Sequence, residues 1–174
     1  MKKILFIIGL AISTVSFGQK KGDKFISGTV SYTKSTDVKG IYNITPTIGY
    51  HVTDKVSVGV FGDLGKNSTT STTNVGVFGR CDFMSIGQHC KVFSQLGVAS
   101  NSSKDNTTSV KSNSFSTNLG MGANYEISSN WALTMNLIDL ITYESADGKS
   151  TTTIGFGGVN SPFTNAKFGL LYRF

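Results

Sequence analysis

The stretch from Ser114 to Ile127 constrains this chain more than any other part of it. Phe115, Thr117, Leu119, Met121, Ala123, Tyr125 and Ile127 alternate with Ser114, Ser116, Asn118, Gly120, Gly122, Asn124 and Glu126. Successive side chains of a strand point to opposite faces, so the segment makes a strand with one apolar face and one polar or small face. Two architectures accept such a strand. A water-soluble sandwich turns the apolar face into a core, whereas a membrane barrel turns it to lipid and lines its interior with the polar face. Alternation alone leaves both open.

The rest of the chain is also read as all-β. Among 174 residues there are 20 Gly and only 2 Pro, and good helix formers are sparse. Ser, Thr and Asn gather in three tracts: 66–74 (KNSTTSTTN), 100–113 (SNSSKDNTTSVKSN) and 144–153 (ESADGKSTTT). None has apolar periodicity, so each is expected to be a solvated loop. With Lys34 to Tyr42 as a first long connection, the expected strands are 24–33, 43–51, 56–64, 74–84, 89–99, 114–127, 131–142 and 165–174. The short connections at His51 to Lys55, Ser85 to Gln88 and Ser128 to Asn130 alternate with the long ones. Short periplasmic turns and longer extracellular loops give a membrane barrel this asymmetry. An even number of strands returns both ends to one side, expected to be the periplasm.

The first residues fit export. Lys2-Lys3 precede an apolar run from Ile4 to Ile12, and Ser13, Thr14, Ser16 and Gly18 supply small residues before Gln19. That order predicts a secretory signal peptide over 1–18 and a single barrel domain over 19–174. A helix needs about 20 apolar residues to span a bilayer, and no later run reaches that length. The net charge of +6 is scattered and not interleaved with aromatics. A nucleic-acid partner is therefore not expected.

Two further features favour the membrane over the sandwich. All six Tyr and the only Trp fall near expected strand ends. Of these, Tyr32, Tyr50, Tyr125, Trp131, Tyr143 and Tyr172 are the candidate interface aromatics, since rings with an apolar body and a polar tip prefer the membrane–water boundary. In the last strand Phe168, Leu170, Tyr172 and Phe174 share one face. This segment closely resembles the C-terminal signature of outer-membrane barrels. That likeness makes the four residues the expected assembly signal, read by the barrel-assembly machinery, with periplasmic chaperones as earlier partners.

The likeness extends further. Thr45-Pro46-Thr47-Ile48-Gly49-Tyr50 and the following turn and strand to Val60 resemble the P-x-x-G-Y segment of an outer-membrane β-barrel family common in Bacteroidetes. Val77-Phe78-Gly79-Arg80 is similar to its F-x-R segment. The resemblance implies an OmpA/OmpX-like barrel of eight antiparallel, up-and-down transmembrane strands in the bacterial outer membrane, with extracellular loops. It implies no particular activity.

The inward register carries Asp63, Arg80, Asp82, Gln95, Asn118, Asn124, Glu126, Lys167 and Arg173. An eight-stranded barrel is just wide enough for side chains to fill. Both signs of charge occur, so a plug of paired side chains is expected, with a gated ion path as the alternative. Inward glycines, including Gly59, Gly97, Gly120 and Gly122, would leave room for the long Arg and Lys chains. Pro46 falls on the lipid-facing register and needs a local bulge to absorb its missing N–H. Asp139 shares a face with Leu133, Met135 and Leu137, unless a bulge turns Ile138 and Leu140 outward instead.

Cys81 and Cys90 would face each other if the turn centred on Ser85-Ile86, which predicts a disulfide; two free thiols, or a metal site with His89 and Asp82, are the alternatives. His51 and His89 both fall at turns, so catalysis and cofactors are not expected. The function read from the sequence is a monomeric barrel with a structural, envelope-integrity or surface-contact role, in contact with outer-membrane lipids and lipopolysaccharide. Loop-based adhesion or recognition is the second reading, and a narrow channel for ions or small solutes is the third.

Overall fold

A computed structural model describes residues 20–35, 38–66, 70–106, 108–146, 149–154 and 166–174. The expected signal peptide lies outside these residues. Among the described residues nine antiparallel strands follow in order: β1 (Lys24–Ser35), β2 (Val38–His51), β3 (Val56–Lys66), β4 (Thr70–Ile86), β5 (Cys90–Asp105), β6 (Lys111–Glu126), β7 (Trp131–Ala146), β8 (Lys149–Ile154) and β9 (Lys167–Arg173). Each of β1 to β7 pairs with the next, and β9 pairs with both β7 and β1, which closes the sheet. β6 occupies one edge of β7 along nearly its whole length. The other edge is shared by β9, opposite 131–136, and β8, opposite 141–146. Nine strands therefore make eight staves, the last of them in two pieces.

The surface is inverted relative to a water-soluble protein. Val75 and Val30 are 63 % and 57 % exposed, while Glu126 and Arg173 are 1 % and 3 % exposed. Ile26, Ile44, Ile48, Val60, Leu64, Val77, Leu96 and Leu170 are exposed as well, and Thr29, Thr45, Ser57, Asn124 and Thr134 are buried. Apolar groups leave water in every folded protein, so this distribution is stable only where the outside is lipid. The inversion decides between sandwich and membrane barrel, which alternation alone could not do.

Several strands run beyond their expected ends. The tracts 66–74, 100–113 and 144–153 and the connection 34–42 lie largely within paired strands. Thr is β-branched and favours extended backbone. Outside the apolar belt neither face needs to be apolar, so the periodicity vanishes while the ladder continues. That is why these segments read as loops and fold as strands.

Pro46 and Asp139 resolve differently. β2 and β3 keep one register across Pro46, pairing Ile44 with Leu64 and Thr47 with Phe61. The missing N–H interrupts the ladder, and no extra residue is inserted, so the expected bulge is absent. In β7 the register shifts twice, at Asn136/Ile138 and at Asp139/Ile141. These two bulges set Ile138 and Ile141 opposite Met121 and Leu119 on the outward register. They also set Asp139 opposite Gly120 on the inward register, where its carboxylate accepts a 3.3 Å bond from Asn118 Nδ2.

Candidate functional site

The lumen is filled in layers, starting from the end that carries the short turns. At the floor the Arg173 guanidinium grips the Glu126 carboxylate with two parallel bonds, Nη1 to Oε2 at 2.5 Å and Nη2 to Oε1 at 2.7 Å. Both side chains are almost completely enclosed, at 3 % and 0 % exposure. A bidentate pair is the geometry in which an Arg–carboxylate bond is strongest. It suits a site where neither charge could otherwise persist.

Above it lies an aromatic layer that sequence reasoning missed. Phe25, Phe78, Phe93 and Leu171 are buried, with Phe61 packed against the cluster. Arg80 lies among these rings, its guanidinium carbon 4.0 Å from the Phe93 centroid, 5.5 Å from Phe78 and 5.9 Å from Phe25. Its Nη2 and Nε donate to Gln95 Oε1 at 2.7 and 3.0 Å. The cation is held by ring faces and one amide oxygen, with Asp82 also buried nearby on the same strand. Inward glycines make this possible. Phe25 lies over Gly49 and Phe93 over Gly122, where any side chain would strike the ring. The glycines were expected to leave space for long cationic chains, and at these points they leave it for phenyl rings.

A signal for the rings was present in the sequence. Placing Arg80 and Gln95 inward also places Phe78 and Phe93 inward, since each lies two residues away on the same strand.

Towards the far end, Lys167 Nζ pairs with Asp63 Oδ2 at 3.0 Å and reaches Thr45 Oγ1 at 3.3 Å. Around this layer lies a polar cavity of about 340 Å³, lined by Thr29, Asn74, Asn101, Asn118, Thr134 and Lys167 among others. Of the residues expected inside, Asp63 and Lys167, Arg80 and Gln95, and Glu126 and Arg173 are brought together in pairs.

The cysteines are not brought together. The turn falls at 87–89, with Gly87 at φ 65°, and β4 carries a register shift between Asp82 and Met84. Cys81 therefore faces Ser94, and Cys90 faces Ile86. Both thiols are free, which corrects the expected disulfide. The alternative metal site is also not formed: no group of three or more His, Cys, Asp or Glu side chains is placed to hold a metal ion among the described residues. The His51 ring packs 5.2 Å from Phe25, and His89 lies 6.0 Å from Tyr125.

The aromatic residues form two rings around the outside, all of them exposed except the half-buried Tyr172. Tyr50, Tyr125, Trp131, Tyr172 and Phe174 surround the turn end, with Trp131 and Tyr172 4.8 Å apart. Tyr32, Tyr42 and Tyr143 surround the far end, with Tyr32 and Tyr42 4.8 Å apart. Tyr50 pairs with Lys24 on β1, which places it eight positions along that strand from Tyr32. At about 3.3 Å per residue and a tilt of about 40°, the two rings stand roughly 20 Å apart along the barrel axis. That approaches the apolar band of about 25 Å found on outer-membrane barrels. Phe168 and Leu170 lie within this belt and are exposed.

No protein-family model matches this chain, and no curated protein matches it. Solved structures do match. The N-terminal β-barrel domain of Pseudomonas aeruginosa OprF aligns over 89 % of this chain and 98 % of its own, at 13 % identity and a TM-score of 0.60. Neisserial surface protein A aligns over 87 % and 92 %, at 15 % identity and a TM-score of 0.52. A de novo designed transmembrane β-barrel aligns over 90 % and 99 %, at 18 % identity and a TM-score of 0.50. At these identities the likeness concerns the fold, which does not carry an activity with it. The chain has the closed, eight-staved antiparallel fold of the bacterial outer-membrane β-barrels.

Proposed function

We propose that this protein is a non-conducting barrel of the bacterial outer membrane, with the turn end and both termini in the periplasm and the long strand ends outside. Its role is structural: it contributes to envelope integrity and presents surface to other molecules. The observation that carries this reading is the stacked closure of the lumen by Glu126–Arg173 and by Arg80 among Phe25, Phe78 and Phe93. A conducting path needs continuous water, and here Phe25 of β1 and Phe93 of β5 meet Arg80 across the barrel. The exposed belt between two aromatic rings supports residence in lipid, and the P-x-x-G-Y and F-x-R segments support the narrower Bacteroidetes-type assignment. The outward apolar face of β9 and the residue after it (Phe168, Leu170, Tyr172, Phe174) is the feature that the assembly machinery would read.

The test is conductance of the refolded full-length chain in planar bilayers. The expected result is no stable single-channel current. Reproducible currents that change on Arg80→Ala or Glu126→Ala would overturn the reading and make the chain a narrow channel. Adhesion or recognition through the extracellular ends is the second reading, favoured by the exposed Ser/Thr-rich hairpin of β7 and β8 at the far end.

A further inference from the structure

The strand register sets three lysines from three different strands in one row. Tyr42 pairs with Lys66, Lys66 with Ser71, Ser71 with Lys104, and Lys104 with Lys111. The ladder crosses five strands, and all five side chains lie on the outward register, starting at the aromatic ring of the far end and climbing beyond it. Lys66, Lys104 and Lys111 are exposed, and none makes an ion pair with a described residue.

We propose that this lysine row binds the phosphate groups of a phosphorylated glycolipid in the outer leaflet. The proposal rests on the reading that the barrel sits in the outer membrane with its far end outward.

Charge segregation supports it. The carboxylates on the described strands are Asp63, Asp82, Asp105, Glu126, Asp139 and Glu144, and all six lie on the inward register. Among the described residues the outward face of the strands thus offers cations with no acid beside them to neutralise them. Lys104 and Lys111 are direct cross-strand partners, and like charges so placed repel each other. An anion bridging them removes that cost.

Height supports it too. Neighbouring strands are about 4.8 Å apart and tilted by about 40°, so a register row climbs roughly 3 Å per strand. Lys66 therefore lies roughly 3 Å beyond Tyr42, and Lys104 and Lys111 lie roughly 9 and 12 Å beyond it. A plane of phospholipid phosphates would meet only Lys66. A sugar headgroup phosphorylated at more than one position presents anions at several depths, and long lysine stems can bend to reach them.

The test titrates the refolded, detergent-solubilised full chain with bisphosphorylated lipid A, counting bound lipid by native mass spectrometry. The comparison lipids are dephosphorylated lipid A and phosphatidylglycerol. Each lysine near an anionic surface contributes about fivefold in affinity, so the triple variant Lys66→Gln, Lys104→Gln, Lys111→Gln should bind lipid A about a hundredfold more weakly. Lys104→Gln alone should lose about fivefold. A control with Lys20, Lys21 and Lys55 changed to Gln at the turn end should bind as the wild type does. Millimolar inorganic phosphate should not displace the lipid.

Retention of lipid A by the triple variant within twofold of wild type would overturn the proposal. Equal binding of either comparison lipid, displacement by inorganic phosphate, or an equal loss in the control would do the same. A shift in gel mobility on boiling reports the folded barrel. Its absence in the wild type would overturn the membrane reading as well, whereas a shifted band without lipid A binding overturns only this inference.

Discussion

Removing one partner of the floor pair gives a large effect that removing both should largely reverse. Arg173 and Glu126 are enclosed at 3 % and 0 % exposure and joined by two short bonds. Glu126→Leu leaves a buried guanidinium without its counter-ion, and Arg173→Leu leaves a buried carboxylate. Breaking such a pair costs about 3–5 kcal/mol, whereas replacing both partners with apolar residues is often neutral. The surroundings favour that outcome, because Phe25, Ala132 and Leu171 already form an apolar cluster within the barrel. The double variant should therefore regain most of the loss, with a coupling energy of about 3 kcal/mol or more. Reversible urea unfolding in lipid vesicles, followed by the fluorescence of the single Trp131, measures all four corners of the cycle. Single variants that lose less than about 1 kcal/mol would mean that water reaches the floor. A double variant as unstable as either single one would mean that the pair does more than neutralise itself.

Three further outcomes follow from the packing. Gly122→Leu should prevent folding or displace Phe93, because a side chain there meets the ring; intact heat-modifiable migration with unchanged stability would contradict the aromatic layer. Cys81 and Cys90 should both react with a thiol reagent in unfolded, non-reduced protein, since each is free; a protected pair would restore the disulfide. Trp131 is 45 % exposed within the aromatic ring at the turn end. Its fluorescence should be quenched more strongly by lipids brominated near the headgroup than by lipids brominated at the acyl chain ends.

Much of this architecture could be read from particular residues. Ser114 to Ile127 gave one strand by strict alternation, and its partners followed from similar segments between short turns. The aromatic rings could be placed because Tyr and Trp cluster near strand ends. The inward charges could be placed because polar residues on an otherwise apolar strand must face away from lipid.

Other features depended on where backbone pairing shifts, which local sequence states poorly. The turn after β4 lies further along the chain than Ser85-Ile86 and sets Cys90 opposite Ile86, which separates Cys81 from Cys90; the shift near Phe83 takes back only one position. Two bulges in β7 decided the side on which Asp139 lies, and the pattern there allowed either answer. The aromatic layer was missed for a different reason. Phe25, Phe78 and Phe93 occupy the face that was read as polar, and only the glycines opposite them create room for rings. Strand lengths beyond the apolar belt were hidden because solvated strands need no alternation.

The central claim is that apolar side chains face lipid while the opposite face closes the lumen. Spin labels placed singly at Ile44, Ile48 and Val60, and at Thr45, Thr47 and Phe61, test it directly in lipid vesicles. The first three are outward and exposed, and the second three lie on the inward register. Oxygen dissolves in the hydrocarbon of the bilayer, so collision with oxygen should be frequent at the outward sites and rare at the inward ones. Equal oxygen contact at both sets, or greater contact at Thr45 and Thr47, would contradict the barrel described here.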